Sequence, residues 1–272
     1  MDVNNAALLS SSTSDTPIYT FKHPYPQQFS LPWPIIIYMI ENCKSEKVWK
    51  KLIMSCKHFY SKKPVFPVKR LDVNADLKCK ADGEFFNASK LFPKLWLYDS
   101  LFANQGSKMS TLIPKIFKFD FRVLRIANQT LTFDDYQKLT SSGSIERLIL
   151  WHSTVKNADD TIVTADKLLE GLDYLHRCTM VCSNNLLVLE TETIGKIVQH
   201  LNGYKKMLGF QLCGINESFD FASFSDFLLN NETISVYLSY VGVSAQYKEM
   251  VKNVIKEIKK NPSLKVPAVE FY

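Results

Sequence analysis

The sequence predicts an α/β protein in which a small N-terminal helical unit precedes an open, curved parallel sheet of irregular strand–helix units. Three observations predict it. From about residue 120 onward, short apolar runs alternate with amphipathic runs at intervals that suit one strand plus one helix. Within the short runs, apolar and polar residues alternate, which is the pattern of a sheet covered on one face only. The stretch "LPWPIIIYMIENCKSEKVWKKLIMSCKHFYSKK", residues 31–63, is too apolar for a surface linker and too short to bury a core of its own.

In chain order, residues 1–28 are rich in Ser, Thr and Asn and end in the proline-interrupted "FKHPYPQQFS", so a disordered tail is expected. Residues 29–64 form the helical unit. Ser30 is placed to cap a first helix with Pro32 near its first turn, and Ile35, Ile36, Met39 and Ile40 follow at helical spacing. After the turn "ENCKS", Ser45 can cap a second helix whose shared apolar face is Val48, Leu52, Ile53 and Cys56. Phe59 and Tyr60 close it and Pro64 stops it. Residues 65–120 read as a linking region with short strands or helices, among them "KRLDVN", "FPKLWLYDS" and "IPKIFKFDF".

Residues 121–272 carry the repeated pattern. Strands are expected at 121–127, 145–151, 179–183, 208–214, 234–240 and 265–271. The helices between them are expected in "TFDDYQKLTSS", "TADKLLEGLDYLH", "TETIGKIVQHLNGY", "FASFSDFLLNN" and "AQYKEMVKNVIKEIKKN". Several of these open with Thr or Ser and place Asp or Glu in the first turn, as helix starts prefer. Strand–helix–strand units of this length pair in parallel through crossovers. A doubly wound sheet would show Gly-rich strand-to-helix turns, and the chain has none.

The alternation assigns faces. Leu148 and Leu150, Phe210 and Leu212, and Val236 and Leu238 point to the helices. Arg147, Ile149, Trp151, Gln211, Cys213, Tyr237 and Ser239 point away, whereas a sheet buried on both sides would read as continuous apolar runs. Arg147, Ile149, Trp151, Gln211, Tyr237 and Ser239 are therefore the candidate receptor face. Trp, Tyr and Arg are the residue types that dominate binding hot spots.

Composition narrows the function. With 46% hydrophobic and 22% charged residues the chain is globular, not disordered. Its net charge of +6 is spread along helix faces such as "KEMVKNVIKEIKK" and is not gathered into a stripe, so nucleic acid is not the expected partner. No positive leader segment precedes the short "AALL" run, and no stretch approaches the ~18 apolar residues of a membrane span. The six cysteines are then expected to be reduced thiols in a cytoplasmic or nuclear protein.

No phosphate loop, nucleophile elbow, HExxH or EF-hand pattern occurs. Cys178 and Cys182 make one pair beside His176, with Cys213 a unit later. That is not the paired spacing of a zinc site, so neither a metal nor a cofactor is expected. Asp134–Asp135 and Asp159–Asp160 read as acids in turns before helices, complementing helix dipoles. No nucleophile, base and orienting group assemble, so the chain reads as a binding protein and not an enzyme.

The Leu-Pro start at Leu31–Pro32, the isoleucines of the first helix and the "SCKHFY" end make residues 31–63 similar to a divergent F-box. The phrases "TFDDYQKLTSSGSIERLILWHSTVK", "DGEFFNASKLFPKLW" and "KVPAVEFY" extend the likeness, and residues 30–272 resemble the expanded nematode family of F-box-like proteins. The resemblance implies leucine-rich-repeat-like units after the F-box. It also implies a Skp-type adaptor of a cullin–RING ubiquitin ligase as partner, with a protein substrate held by the repeats. Leu31, Pro32, Ile35, Ile36 and Ile40 would be the adaptor contacts. Trp33 departs from the family, which has a small or acidic residue at that place. Two other readings stay open: a protein-interaction solenoid whose F-box no longer recruits a ligase, and an enzyme on an α/β scaffold.

Overall fold

The computed structural model describes residues 31–272 except 76–77, 91–92, 108, 182–188 and 190. The expected tail, the Ser30 cap and Cys182 lie outside the described residues. The chain divides into two compact units, one ending at Asn42 and the other spanning Cys43–Tyr272.

In the first unit, helix α1 (Trp33–Asn42) starts where the Pro32 carbonyl accepts from the backbone N–H groups of Ile35 and Ile36. Pro34 falls in the first turn, where a missing N–H costs nothing. Ile36 and Ile40 are buried, while Leu31, Trp33, Ile35 and Tyr38 are exposed.

The second unit opens with α2 (Glu46–Ser55) and α3 (Lys57–Lys62). The Ser45 hydroxyl caps α2 by accepting from the Val48 N–H. The buried face of α2 differs from expectation: Val48 is half exposed, and Trp49 is the fully buried residue. The Trp49 indole N–H donates to the Val65 carbonyl at 2.8 Å, and its ring meets Phe59 edge-on. A tryptophan whose polar edge finds a partner can be buried whole, and its bulk then sets which side of a short helix faces in.

The strands are β1 (Val65–Val73), β2 (Lys78–Ala81), β3 (Glu84–Asn87), β4 (Lys94–Ala103), β5 (Ile116–Phe119), β6 (Val123–Ala127), β7 (Thr130–Thr132), β8 (Arg147–Trp151), β9 (Thr154–Lys156), β10 (Arg177–Val181), β11 (Gly209–Ile215), β12 (Ser235–Tyr240) and β13 (Ala268–Phe271). Helices α4 (Met109–Leu112), α5 (Phe133–Thr140), α6 (Thr191–Gly203), α7 (Phe221–Leu228) and α8 (Ala245–Lys260) lie between them. One sheet runs in the order β13-β12-β11-β10-β8-β6-β4-β1-β2-β3, with β5 paired to β4. It is parallel from β13 to β1, and β2 and β3 add an antiparallel hairpin at one edge. A second, two-stranded sheet pairs β7 with β9 in parallel.

Residues 65–120 are therefore not a link. They hold two of the longest strands, β1 and β4, inside the main sheet. Their period-2 pattern is hidden because the β1–β4 register shifts between Val68 and Arg70, and one extra residue inverts the alternation beyond it. The β2–β3 turn is Asp82-Gly83 with φ of 50° and 101°, the left-handed pair that a two-residue hairpin needs.

Within the repeated part, α5, α6, α7 and α8 fall where amphipathic periodicity places helices. The expected helix in "TADKLLEGLDYLH" is absent. Residues 165–175 instead form successive tight turns, in which Leu169 N–H donates to Asp166, Leu172 to Leu169 and Leu175 to Leu172. Each step is three residues, so Leu169, Leu172 and Leu175 all point inward and stay buried as they would on a helix. Carbonyls that a helix would have used are taken by tyrosines: Tyr136 donates to Leu168 O at 2.6 Å and Tyr204 to Leu169 O at 2.8 Å.

The inward rows of the parallel strands are Leu71, Leu101, Leu124, Leu148, Cys178, Phe210 and Val236, and two residues on, Val73, Ala103, Ile126, Leu150, Met180, Leu212 and Leu238. All are buried, in one core that also holds Ile194 and Ile197 of α6, Phe224 of α7 and Val251 of α8. Helices α5–α8 thus pack against one face of the sheet, and the opposite face carries the exposed Arg125, Arg147, Arg177, Gln211 and Ser235.

Candidate functional site

The opposite face is built by the residues between those inward rows. One outward row reads Ser100, Val123, Arg147, Arg177, Gly209 and Ser235 across β4, β6, β8, β10, β11 and β12. The next reads Phe102, Arg125, Ile149, Thr179, Gln211 and Tyr237. A third, at the strand ends, reads Ala127, Trp151, Val181, Cys213, Ser239 and Glu270.

After the third row a left-handed residue follows: Asn128 after β6 with φ of 53°, His152 after β8 with 46°, and, inside β11, Gly214 with 72°, where the β11–β12 register shifts. Asn and Gly are the residues that reach this conformation most readily. The left-handed step at His152 leaves Trp151 at a strand end with 43% of its surface open.

Arg147, Ile149, Trp151, Gln211 and Tyr237 thus lie on one face. Gln211 and Tyr237 are direct cross-strand partners, and Thr179 stands between Ile149 and Gln211. Ser239 is the exception. Its register puts it in the outward row, yet it is only 5% exposed, so it cannot present its hydroxyl to a partner. Its flanking strands carry Cys213 and Glu270 at the same level, and the larger neighbours shelter the small side chain.

Charge on this face is sorted by position. Toward β1, cations are neutralised: Arg70 grips Asp72 at 3.0 Å and lies 4.4 Å above the Phe102 ring, Arg122 meets Asp99 at 2.8 Å, and Lys118 meets Asp120 at 2.5 Å. Toward β13, Tyr237 donates to Glu270 at 2.7 Å and Tyr272 donates to the same carboxylate. These hydroxyls hold the Glu270 carboxyl below its ordinary range. Between the two zones, Arg125, Arg147 and Arg177 make no salt bridge to any described residue.

A groove of about 390 Å³ crosses the strands here, lined by Arg147, Arg177, Thr179, Gly209, Gln211, Ser235 and Tyr237, among others. Arg147 also borders a second hollow of about 640 Å³ with Arg70, Tyr98, Asp99 and Phe102. Thr179 Oγ1 donates to Gln211 Oε1 at 3.0 Å, which leaves the Gln211 amide N–H groups as the donors turned to the groove.

Arg177 and Thr179 were not among the sequence-derived candidates. The strand expected at 179–183 begins two residues earlier, so Arg177 fell outside it and Thr179 stood at its edge. The signal that finds them is the shared strand start, an arginine followed by a buried residue, "RL" at Arg147 and "RC" at Arg177.

At the start of α1, Leu31, Pro32 and Ile35 are exposed, at 41% and 45% for Leu31 and Ile35. Ile36 and Ile40, the other two residues proposed as adaptor contacts, are buried. Trp33 and Tyr38 are exposed beside the remaining three.

The acid pairs have local partners. Asp134 meets Lys138 at 2.5 Å in the first turns of α5, and Asp135 N–H donates to the Thr132 cap. Asp159 accepts from the Thr161 hydroxyl and amide, and Asp160 meets Lys156 at 3.3 Å. No helix follows Asp159–Asp160, contrary to expectation; these residues close a turn between β9 and the Lys156–Ile162 bridge. Cys178 lies in the inward row, where burial pushes its thiol up to about 12. No protein-family model matches the chain, and no characterised protein aligns with it significantly.

Proposed function

We propose that the protein is a non-catalytic substrate-recognition subunit of a cullin–RING ubiquitin ligase. In this reading the F-box-like segment docks a Skp-type adaptor through Leu31, Pro32 and Ile35, joined by Trp33 and Tyr38. The strand–helix units are irregular leucine-rich-like repeats whose open face holds a protein substrate. The observation that carries the reading is that one sheet face presents Arg147, Ile149, Trp151, Gln211 and Tyr237 together, with no described helix over them. Large, stiff or fork-shaped side chains on a rigid surface are what hot spots are made of. The exposed Leu31, Trp33, Ile35 and Tyr38 support the adaptor half, because apolar side chains clustered at one helix start are a usual mark of a protein partner.

A second reading, an interaction protein that does not recruit a ligase, is favoured by the burial of Ile36 and Ile40, two of the five contacts the resemblance implies. Co-purification of the adaptor with the tagged full chain separates the two. Under the first reading the adaptor is retained. Leu31→Ala with Ile35→Ala then lowers retention at least tenfold, with the circular dichroism spectrum unchanged. Absence of the adaptor, or retention indifferent to the double substitution, leaves the second reading.

A further inference from the structure

Arg147 and Arg177 are Cα partners on adjacent parallel strands, with their side chains on the same open face. Arg125 is the cross-strand partner of Ile149, so it is the diagonal neighbour of Arg147 one strand over. Like charges directly opposite one another destabilise a sheet. Elsewhere on this face the chain removes that cost. Arg70 and Arg122 are given carboxylates, and Asp99 and Asp82, which line the adjoining hollow, are engaged by Arg122 and Lys50. Three arginines on three consecutive strands, none with a salt bridge to a described residue, therefore stand out as a site that leaves its anion to another molecule.

The surroundings specify the anion. Beside Arg177, the same row continues with Gly209 and Ser235, so the arginines stand at the end of a trough floored by the smallest side chains. Along its wall the Gln211 amide, oriented by Thr179, offers donors. Glu270, the one acid in these rows, is held by two tyrosine hydroxyls and lies three strands across from Arg177 and four residues further along, roughly 20 Å at ordinary strand spacings. A single carboxylate would balance one guanidinium. A phosphate monoester carries about −1.5 to −2 charge and three acceptor oxygens, which suits two forked donors converging from neighbouring strands.

We propose that this groove binds a phosphorylated segment of a partner protein, the phosphate seated between Arg147 and Arg177 with Arg125 beside them, and the flanking residues lying across the strands over Gly209 toward Tyr237. The inference rests on the open face being the capture face of the preceding section and names the class of substrate it takes.

The test is fluorescence anisotropy of the full-length protein with three labelled pools of ten-residue peptides, degenerate except for a central phosphoserine, serine or glutamate. The phosphoserine pool is expected to bind at least tenfold more tightly than the other two. Arg147→Gln with Arg177→Gln removes that preference, while the thermal midpoint stays level or rises as like-charge repulsion is relieved. Should the double glutamine variant fail to fold, Arg147→Lys with Arg177→Lys keeps the charge, loses the forks and is expected to weaken the phosphoserine pool several-fold. Equal binding of the serine or glutamate pool, retention of the preference in both variants, or tighter binding of a single-stranded oligonucleotide at the same arginines overturns the proposal. Adaptor co-purification depends on Leu31 and Ile35 and is not expected to respond to the arginine changes, so failure here and failure of the ligase reading are told apart.

Discussion

Three tryptophans show how differently one residue type is used. Trp49 is buried whole and donates to the Val65 carbonyl, and Trp96 is buried with its indole N–H on Asp120 at 2.8 Å, whereas Trp151 stands 43% open at a strand end. Truncating a buried aromatic removes its transfer energy and leaves a cavity, so Trp49→Ala is expected to cost about 3–5 kcal/mol in urea unfolding. Trp151→Ala leaves no enclosed cavity and is expected to cost roughly 1 kcal/mol or less, within the range of surface changes. If a partner is captured on the open face, the same variant weakens that capture. A loss of several kcal/mol for Trp151→Ala would mean that the ring serves the fold. Tyr136 makes a sharper case. Its hydroxyl is the partner of a buried carbonyl, so Tyr136→Phe, with the packing nearly unchanged, is expected to cost about 1–3 kcal/mol.

Among the elements, the turns at 165–175 are the instructive one. Leucines three apart satisfy a helix and a chain of three-residue turns equally well, and the choice was made by neighbours. Tyr136 of α5 takes the Leu168 carbonyl, and Tyr204, next to the C-terminal end of α6, takes that of Leu169. Gly171, at φ of 72°, adds a left-handed step that would interrupt a helix at its middle. The preference of this segment is therefore set by tyrosines that lie about thirty residues away on either side. Gly171→Ala tests that balance. No atom stands within 4 Å of the added methyl, so the expected loss of about 1–2 kcal/mol would come from the left-handed backbone alone.

For the whole molecule, the core carries a pH dependence. Cys79 and Cys178 are raised to about 11 and about 12 by burial, from an ordinary thiol value of 9.0. Between that value and their folded values the unfolded chain gives up protons that the folded chain keeps, so ν_U is smaller than ν_N and stability falls as pH rises. Below pH 9 the contribution is fully present. The urea midpoint is expected to decline between pH 9 and 11, and to decline less steeply in Cys178→Ala. An identical slope in wild type and variant would show that Cys178 does not take part. The same burial keeps the Cys178 thiol from disulfide-forming reagents in the native state while the half-buried Cys213 is nearer the surface.

Much of this protein is written in local pattern. Six of the eight strands from residue 121 onward, four of their helices, and the outward placement of Arg147, Ile149, Trp151, Gln211 and Tyr237 follow from periods of 2 and 3.6, because a side chain's face is fixed by backbone geometry before any tertiary contact forms. The adjacency of Arg147 and Arg177 was not legible there. It depends on the register between two strands joined by a long connection, which is set by the packing of both inward rows. The strands at 65–73 and 94–103 were hidden by a register shift, the turns at 165–175 by a spacing shared by two structures, and the burial of Ser239 by the size of its cross-strand neighbours. Local sequence determined which residues face away from the core. Only the tertiary structure decided which of them meet, because proximity across a sheet is a property of strand order and register, and neither is encoded within any one strand.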